Sequence, residues 1–210
     1  MADLGSLLIV GAGSLFERAL AQWRQVEPER DIRALELEVD EIAALADSAL
    51  APFPPEKFRI FAAIDSTALN FARLDLFTRL RLRGYRAATF IHPSARIDSS
   101  AQVAENCFIA EGATIGPKAR IAYNCYVGAG TTIGFMAELQ PSCWLDAGVL
   151  CGDRCSIGTH SIVGPGTVIG HGVKVGSHCA LEVRGHHASD VPGRTYMHPL
   201  FDRPVRILSA

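Results

Sequence analysis

Ile109-Ala-Glu-Gly-Ala-Thr-Ile115-Gly-Pro-Lys-Ala-Arg-Ile121-Ala-Tyr-Asn-Cys-Tyr-Val127 places an aliphatic residue at every sixth position. The frame extends back through Val103 and Ile97 to Ile91. It extends forward through Ile133, Leu139, Leu145, Cys151, Ile157, Val163, Ile169 and Val175 to Leu181. All sixteen positions are apolar in a chain that is 49% hydrophobic, so chance gives on the order of 10⁻⁵ for a chosen phase. The residue two before each is small or β-branched, as in Ala113, Ala119, Cys125 and Thr131. A six-residue unit with one large and one small inward position is the signature of a parallel β-helix.

A period of eighteen lies over the six. Three residues after the inward aliphatic, one column reads Gly112, Gly130, Gly148, Gly166 and another Asn106, Asn124, Ser142, His160, His178. Both columns are rich in types that tolerate left-handed backbone. Pro93, Pro117, Pro141 and Pro165 each sit one residue earlier, where a type II turn favours proline. Three such turns per eighteen residues make a triangular prism rising about 4.8 Å per coil. Five of the six cysteines occupy the small inward position and Cys151 a large one. They are expected as reduced core residues, with no metal site, in a reducing cytoplasm.

The three outer faces differ. One reads Phe90, Phe108, Tyr126, Trp144, Ile162, Ala180 and another Gln102, Arg120, Glu138, Ser156, Lys174. An aromatic wall is too large to leave wet, so the Phe108/Tyr126/Trp144 face is expected to be sealed by a second copy of the chain, with a covering by the N-terminal domain as the alternative.

Residues 1–88 have another rhythm. Leu7 to Val10 reads as a strand, Gly11-Ala-Gly13 as a tight turn, and Ser14 with Glu17 as a capping box opening a helix. Ile32 to Val39 alternates as a strand, and an alanine-rich helix spans Glu41 to Leu50. A third strand is expected over Phe58 to Ile64, then a helix from Leu69 to Arg83 stopped by Gly84. The order βαβαβα predicts a small Rossmann-like parallel sheet. The expected layout is an α/β domain over 1–88, a β-helix over 89–185 and a tail over 186–210. The formal net charge is -2, which gives no reason to seek nucleic acid or an anionic membrane. The apolar run Leu7 to Val10 is too short to span a bilayer or serve as a signal.

Several stretches now bear a resemblance: Leu7-Leu-Ile-Val-Gly-Ala-Gly13, Ala63-Ile64 with the helix carrying Arg73, Phe90-Ile-His-Pro-Ser-Ala95, and the hexads. The chain resembles the left-handed β-helix acyltransferases. Within them it is similar to the bacterial nucleotide-sugar acetyltransferases related to sialic acid O-acetyltransferase and UDP-4-amino-sugar N-acetyltransferase. The resemblance implies left-handed coiling and a homotrimer. It also implies acetyl-CoA or another acyl-CoA between protomers, and a nucleotide-sugar acceptor held partly by the first domain. The departures are as informative. Phe135 and Met136 stand where the family has a catalytic histidine and an acidic residue, and Trp144 where it has a second histidine. Leu15 and Phe16 replace the usual Gly-His, and Asp65 the glycine ending the third strand.

Losing a histidine base costs about 10²–10⁴-fold, so other histidines are candidates. His171 shares the register of Phe135, roughly 10 Å along the prism. His160 and His178 stand in the turn column beside the aromatic face, where they also fit as left-handed turn residues. His186 and His187 follow the last hexad and fit a solvated tail, while His92 belongs to the entry motif. Gly152, Gly164 and Gly170 are expected to leave the later coils open for a pantetheine arm, though glycine is also the common hexad residue. Gly11, Gly13, Ser14 and Asp65 are the candidate phosphate and sugar contacts, with Glu38 or Asp40 for a ribose hydroxyl.

Three functions compete. The first is acyl transfer from acyl-CoA to a nucleotide-linked sugar, an amine above all, for surface polysaccharide. The second is a trimeric scaffold that has lost its base. The third, well behind, is a γ-type carbonic anhydrase, which needs two histidines five residues apart on one chain; no pair here has that spacing.

Overall fold

The computed structural model describes residues 5–37 and 45–206. The chain divides into two compact units, residues 1–90 and 91–210.

In the first unit, β1 (Ser6–Ala12), β2 (Ile32–Glu36), β3 (Phe58–Ile64) and β4 (Arg86–Ala87) form a parallel sheet in the order β2-β1-β3-β4. β1 is buried on both faces, which is why Leu7 to Val10 is a continuous apolar run. The helices are α1 (Ser14–Val26), α2 (Asp47–Leu50) and α3 (Phe71–Leu82). Leu76, Phe77 and Leu80 of α3 pack with Leu8, Val10, Ile60 and Ala62. Trp23 of α1 meets Phe61 edge-on at 4.9 Å, on the opposite face because strand side chains alternate. The sheet is therefore covered on both sides, as doubly wound order requires.

Two local expectations need correction, and a third lies partly outside the described residues. The Ser14/Glu17 capping box does not form: Gly13 is the cap residue, and Ser14 bonds to Asp65 instead. The third helix begins at Phe71 rather than Leu69, because Ala68, Leu69 and Asn70 take left-handed φ of 49°, 53° and 63°. Such backbone costs an ordinary residue about 1–2 kcal/mol. The expected helix over 41–50 is described only from residue 45, as the short α2.

In the second unit, two-residue strands stack in parallel on three faces with partners eighteen apart, such as Arg120↔Glu138, Tyr126↔Trp144 and Thr132↔Leu150. The inward residues form one continuous core from Cys107 to Val191. All six cysteines are free and buried. The thiols of Cys107, Cys125, Cys143 and Cys179 lie 3.1–3.3 Å from carbonyl oxygens of the adjoining coil. Every residue three after an inward aliphatic, from Asn106 to His178, has positive φ, including Lys118, Met136 and Arg154.

The expected tail is not one. His186–His187 pair with Val168–Ile169, and Thr195–Met197 add a strand beside Ala180–Leu181. His187 thereby takes the next inward position, six after Leu181.

The aromatic wall also departs from expectation. In the single chain Phe108, Tyr126 and Trp144 are already 0%, 6% and 8% exposed. Their rings stack at 5.6 and 4.0 Å, which hides the ring faces from solvent. The wall therefore gives no demand for a sister subunit.

Candidate functional site

In the first unit, the residues expected to contact a phosphate do come together, but they engage one another. Gly11 has φ 153°, and a Cβ there would lie 1.7 Å from the Ala63 carbonyl oxygen. Gly13 has φ 80°, and a Cβ there would lie 2.4 Å from Asp65 Oδ2. Gly11 must be glycine because the β3 backbone approaches so closely, and Gly13 because its φ of 80° strains any other residue. The Asp65 carboxylate accepts bonds from the Ser14 amide at 2.9 Å, the Ser14 hydroxyl at 2.9 Å and the Leu15 amide at 2.7 Å. These are the amides that a helix start offers to an anion. The open phosphate cradle expected from Gly11, Gly13 and Ser14 is therefore filled by Asp65. Glu38 and Asp40 lie outside the described residues.

In the second unit, the expected histidines fall on two corners of the prism. His171 shares a corner with Phe135 and is exposed. His160 and His178 stand on the corner next to the aromatic face, their rings stacked at 5.5 Å. Their column explains them. Asn106 donates to Asn124 at 2.8 Å and Asn124 to Ser142 at 2.9 Å, all fully buried. The column selects residues that accept positive φ and touch the next coil, and His160 and His178, at φ 57° and 61°, meet both demands. The structure does not gather the three histidines into one site.

At the Phe135 corner the backbone is held by its neighbours. The Phe135 amide donates to Asp153 Oδ1 at 2.9 Å, and the Arg154 guanidinium lies 5.4 Å from the Phe135 ring centre. Gly152, Gly164 and Gly170 are packed against the adjoining coil. A Cβ on each would lie 2.8, 3.0 and 3.1 Å from backbone of the adjoining coil, so these glycines are small because the coils touch there.

One group escaped the sequence reading, and another was misplaced by it in a solvated tail. Asp146 is half-buried and accepts the Trp144 indole N–H at 2.8 Å. Burial lifts its carboxyl above the ordinary carboxylate value, and the Trp144 bond opposes this only in part. One signal was available: its column reads Ala110, Gly128, Asp146, Gly164, with one acid among small residues. The other is His187, whose Nε2 is buried with no hydrogen-bond partner. Burial, and secondarily His186, lower its pKa. It lines a cavity of about 380 Å³ with Val191, Met197 and Arg206. The frame of six, carried one step past Leu181, would have placed it inside.

The fold so defined is a left-handed parallel β-helix of hexapeptide repeats preceded by a small α/β unit. Among solved structures it is similar to perosamine N-acetyltransferase from Caulobacter crescentus, in a mutant form bound to CoA and GDP-perosamine. The TM-score there is 0.75 at 18% identity, over 92% of this chain and 93% of that one. It is also similar to the acetyltransferase domain of PglB from Neisseria gonorrhoeae with acetyl coenzyme A. There the TM-score is 0.73 at 17% identity, over 91% and 94%. No protein-family model and no curated protein sequence matches the chain.

Proposed function

We propose that the chain is an acyl-CoA-dependent acyltransferase acting on the amine of a nucleotide-linked sugar. One observation carries this reading. The likeness to the perosamine enzyme runs over 92% of the chain, so it takes in both units and not the prism alone. That structure holds CoA, the form an acyl-CoA donor leaves behind, and GDP-perosamine, an acceptor of the class inferred here. Acetyl-CoA is the simplest donor of that class. The reading includes a homotrimer with acyl-CoA between protomers, as the resemblance implies. It also includes a cytoplasmic role in surface polysaccharide, where the six free thiols would stay reduced.

With Phe135 and Met136 in the family's base position, the proton needs another acceptor. Asp146 has the right chemistry: its carboxyl is raised by burial and oriented by the Trp144 N–H. The amine nitrogen attacks the thioester carbonyl carbon, the C–N bond forms and the C–S bond breaks. The proton leaves nitrogen for Asp146, and the departing CoA thiolate carries it off as the thiol.

Two measurements test the reading. Millimolar acetyl-CoA should raise the melting temperature, since a ligand selective for the folded chain must do so. Amino-sugar nucleotides should then release CoA thiol. The absence of both effects would favour the second reading, a scaffold without catalysis. The observation behind that alternative is that Phe135, Met136 and Trp144 cannot take a proton.

A further inference from the structure

We infer that Asp65 is a specificity residue: its carboxylate stands where a phosphate would sit at the start of α1, so the first unit does not grip its ligand by phosphate at this turn. The inference rests on the acyltransferase reading only for the identity of the ligand; the closure of the turn stands on geometry.

The start of a helix presents unpaired amides and a partial positive charge. After a glycine turn at the carboxyl end of a parallel strand, that is where an α/β unit would take an anion. Here the anion is built in. Asp65 follows β3 directly, and its two oxygens take the Ser14 amide, the Leu15 amide and the Ser14 hydroxyl at 2.7–2.9 Å. Gly13 lies so close to this carboxylate that a Cβ would overlap Oδ2. A phosphate would have to displace a charged group holding three bonds, or sit beside it as a like charge. Either is unfavourable. The part of an acceptor that faces this turn is therefore uncharged, the sugar or the base, and its phosphates lie elsewhere.

The test uses the full chain as wild type, Asp65→Gly and Asp65→Asn, with inorganic pyrophosphate and GDP as probes. Binding is read from the Ser14 and Leu15 amide signals by NMR. In the wild type these two signals should stay still at millimolar probe. Asp65→Gly should bind pyrophosphate at least tenfold more tightly, with both amides shifting. Asp65→Asn keeps an acceptor oxygen without the charge, so it covers the case in which the glycine variant does not fold; it too should bind more tightly than wild type. Wild-type shifts as large as the variants', or variants that bind no better than wild type, would overturn the inference. GDP that binds the wild type while leaving Ser14 and Leu15 unmoved supports it. Wild type that binds no GDP anywhere, beside variants that gain pyrophosphate, would sink the nucleotide-linked acceptor and leave the role of Asp65 standing.

Discussion

The prism and the α/β unit are held together by contacts of different reach. In the prism each rung repeats the last, and partners lie eighteen residues apart throughout. In the α/β unit the decisive polar contact joins Ser14 to Asp65, fifty-one residues apart, and it occurs once. A repeated environment imposes a repeated residue type, so it can be read from one chain. A unique contact leaves no periodic trace. The prism should accordingly fail through its core, and the α/β unit through single polar links.

The largest effect belongs to the prism. Leu145 is fully buried in the continuous core, so Leu145→Asp should cost more than about 4 kcal/mol, the penalty of an unpaired buried charge. Circular dichroism should show the β-helix lost as a whole; a local defect with most strands retained would mean that the coils do not depend on one another. Next comes Asp65→Ala, which strips the cap from α1 and should cost about 1–2 kcal/mol. Calorimetry should assign that loss to the α/β unit, with the prism transition unmoved.

His187→Leu should act in the opposite direction. It completes the aliphatic column and removes an orphaned ring nitrogen, a gain of about 1 kcal/mol. It should also remove a pH dependence. The His187 pKa lies below the ordinary 6.5 in the folded chain, so the unfolded chain takes up a proton first. Stability from this residue should fall as pH drops below 6.5 and level off beneath the folded-state pKa. Denaturant titrations at several pH values would detect the slope in wild type and its loss in the variant. The smallest effect is Met136→Gly. Met136 is held at φ 54°, and relieving that backbone should stabilise by about 0.5 kcal/mol after the entropy of glycine is counted.

The same contrast explains what could be read in advance. The spacing of Ile109, Ile115, Ile121 and Val127 specified strands, faces and turns, because each aliphatic does one job at one depth. β3 was legible from Phe58 to Ile64 through its apolar run Ile60 to Ile64. The capping of α1 was not: Ser14 and Glu17 have the right spacing, but Asp65 is the better partner, and only the folded sheet brings it there. The exposure of the aromatic wall was misjudged because an outward position was equated with a wet one. In the candidate site, the histidines drew attention by residue type. His160 and His178 prove to be turn residues. Asp146, an ordinary acid in sequence, becomes chemically distinctive only once it is half-buried beside Trp144.

The pH–rate profile of CoA thiol release tests most directly the proposal that the chain transfers an acyl group with Asp146 as proton acceptor. In wild type the rate should rise with pH through an ionisation above the usual carboxylate range that is lost in Asp146→Asn, beside that of the acceptor amine, and Asp146→Asn should lower the rate about 10²–10⁴-fold. An unchanged rate and profile in Asp146→Asn, or no thiol release from wild type with any amino-sugar nucleotide, would contradict it.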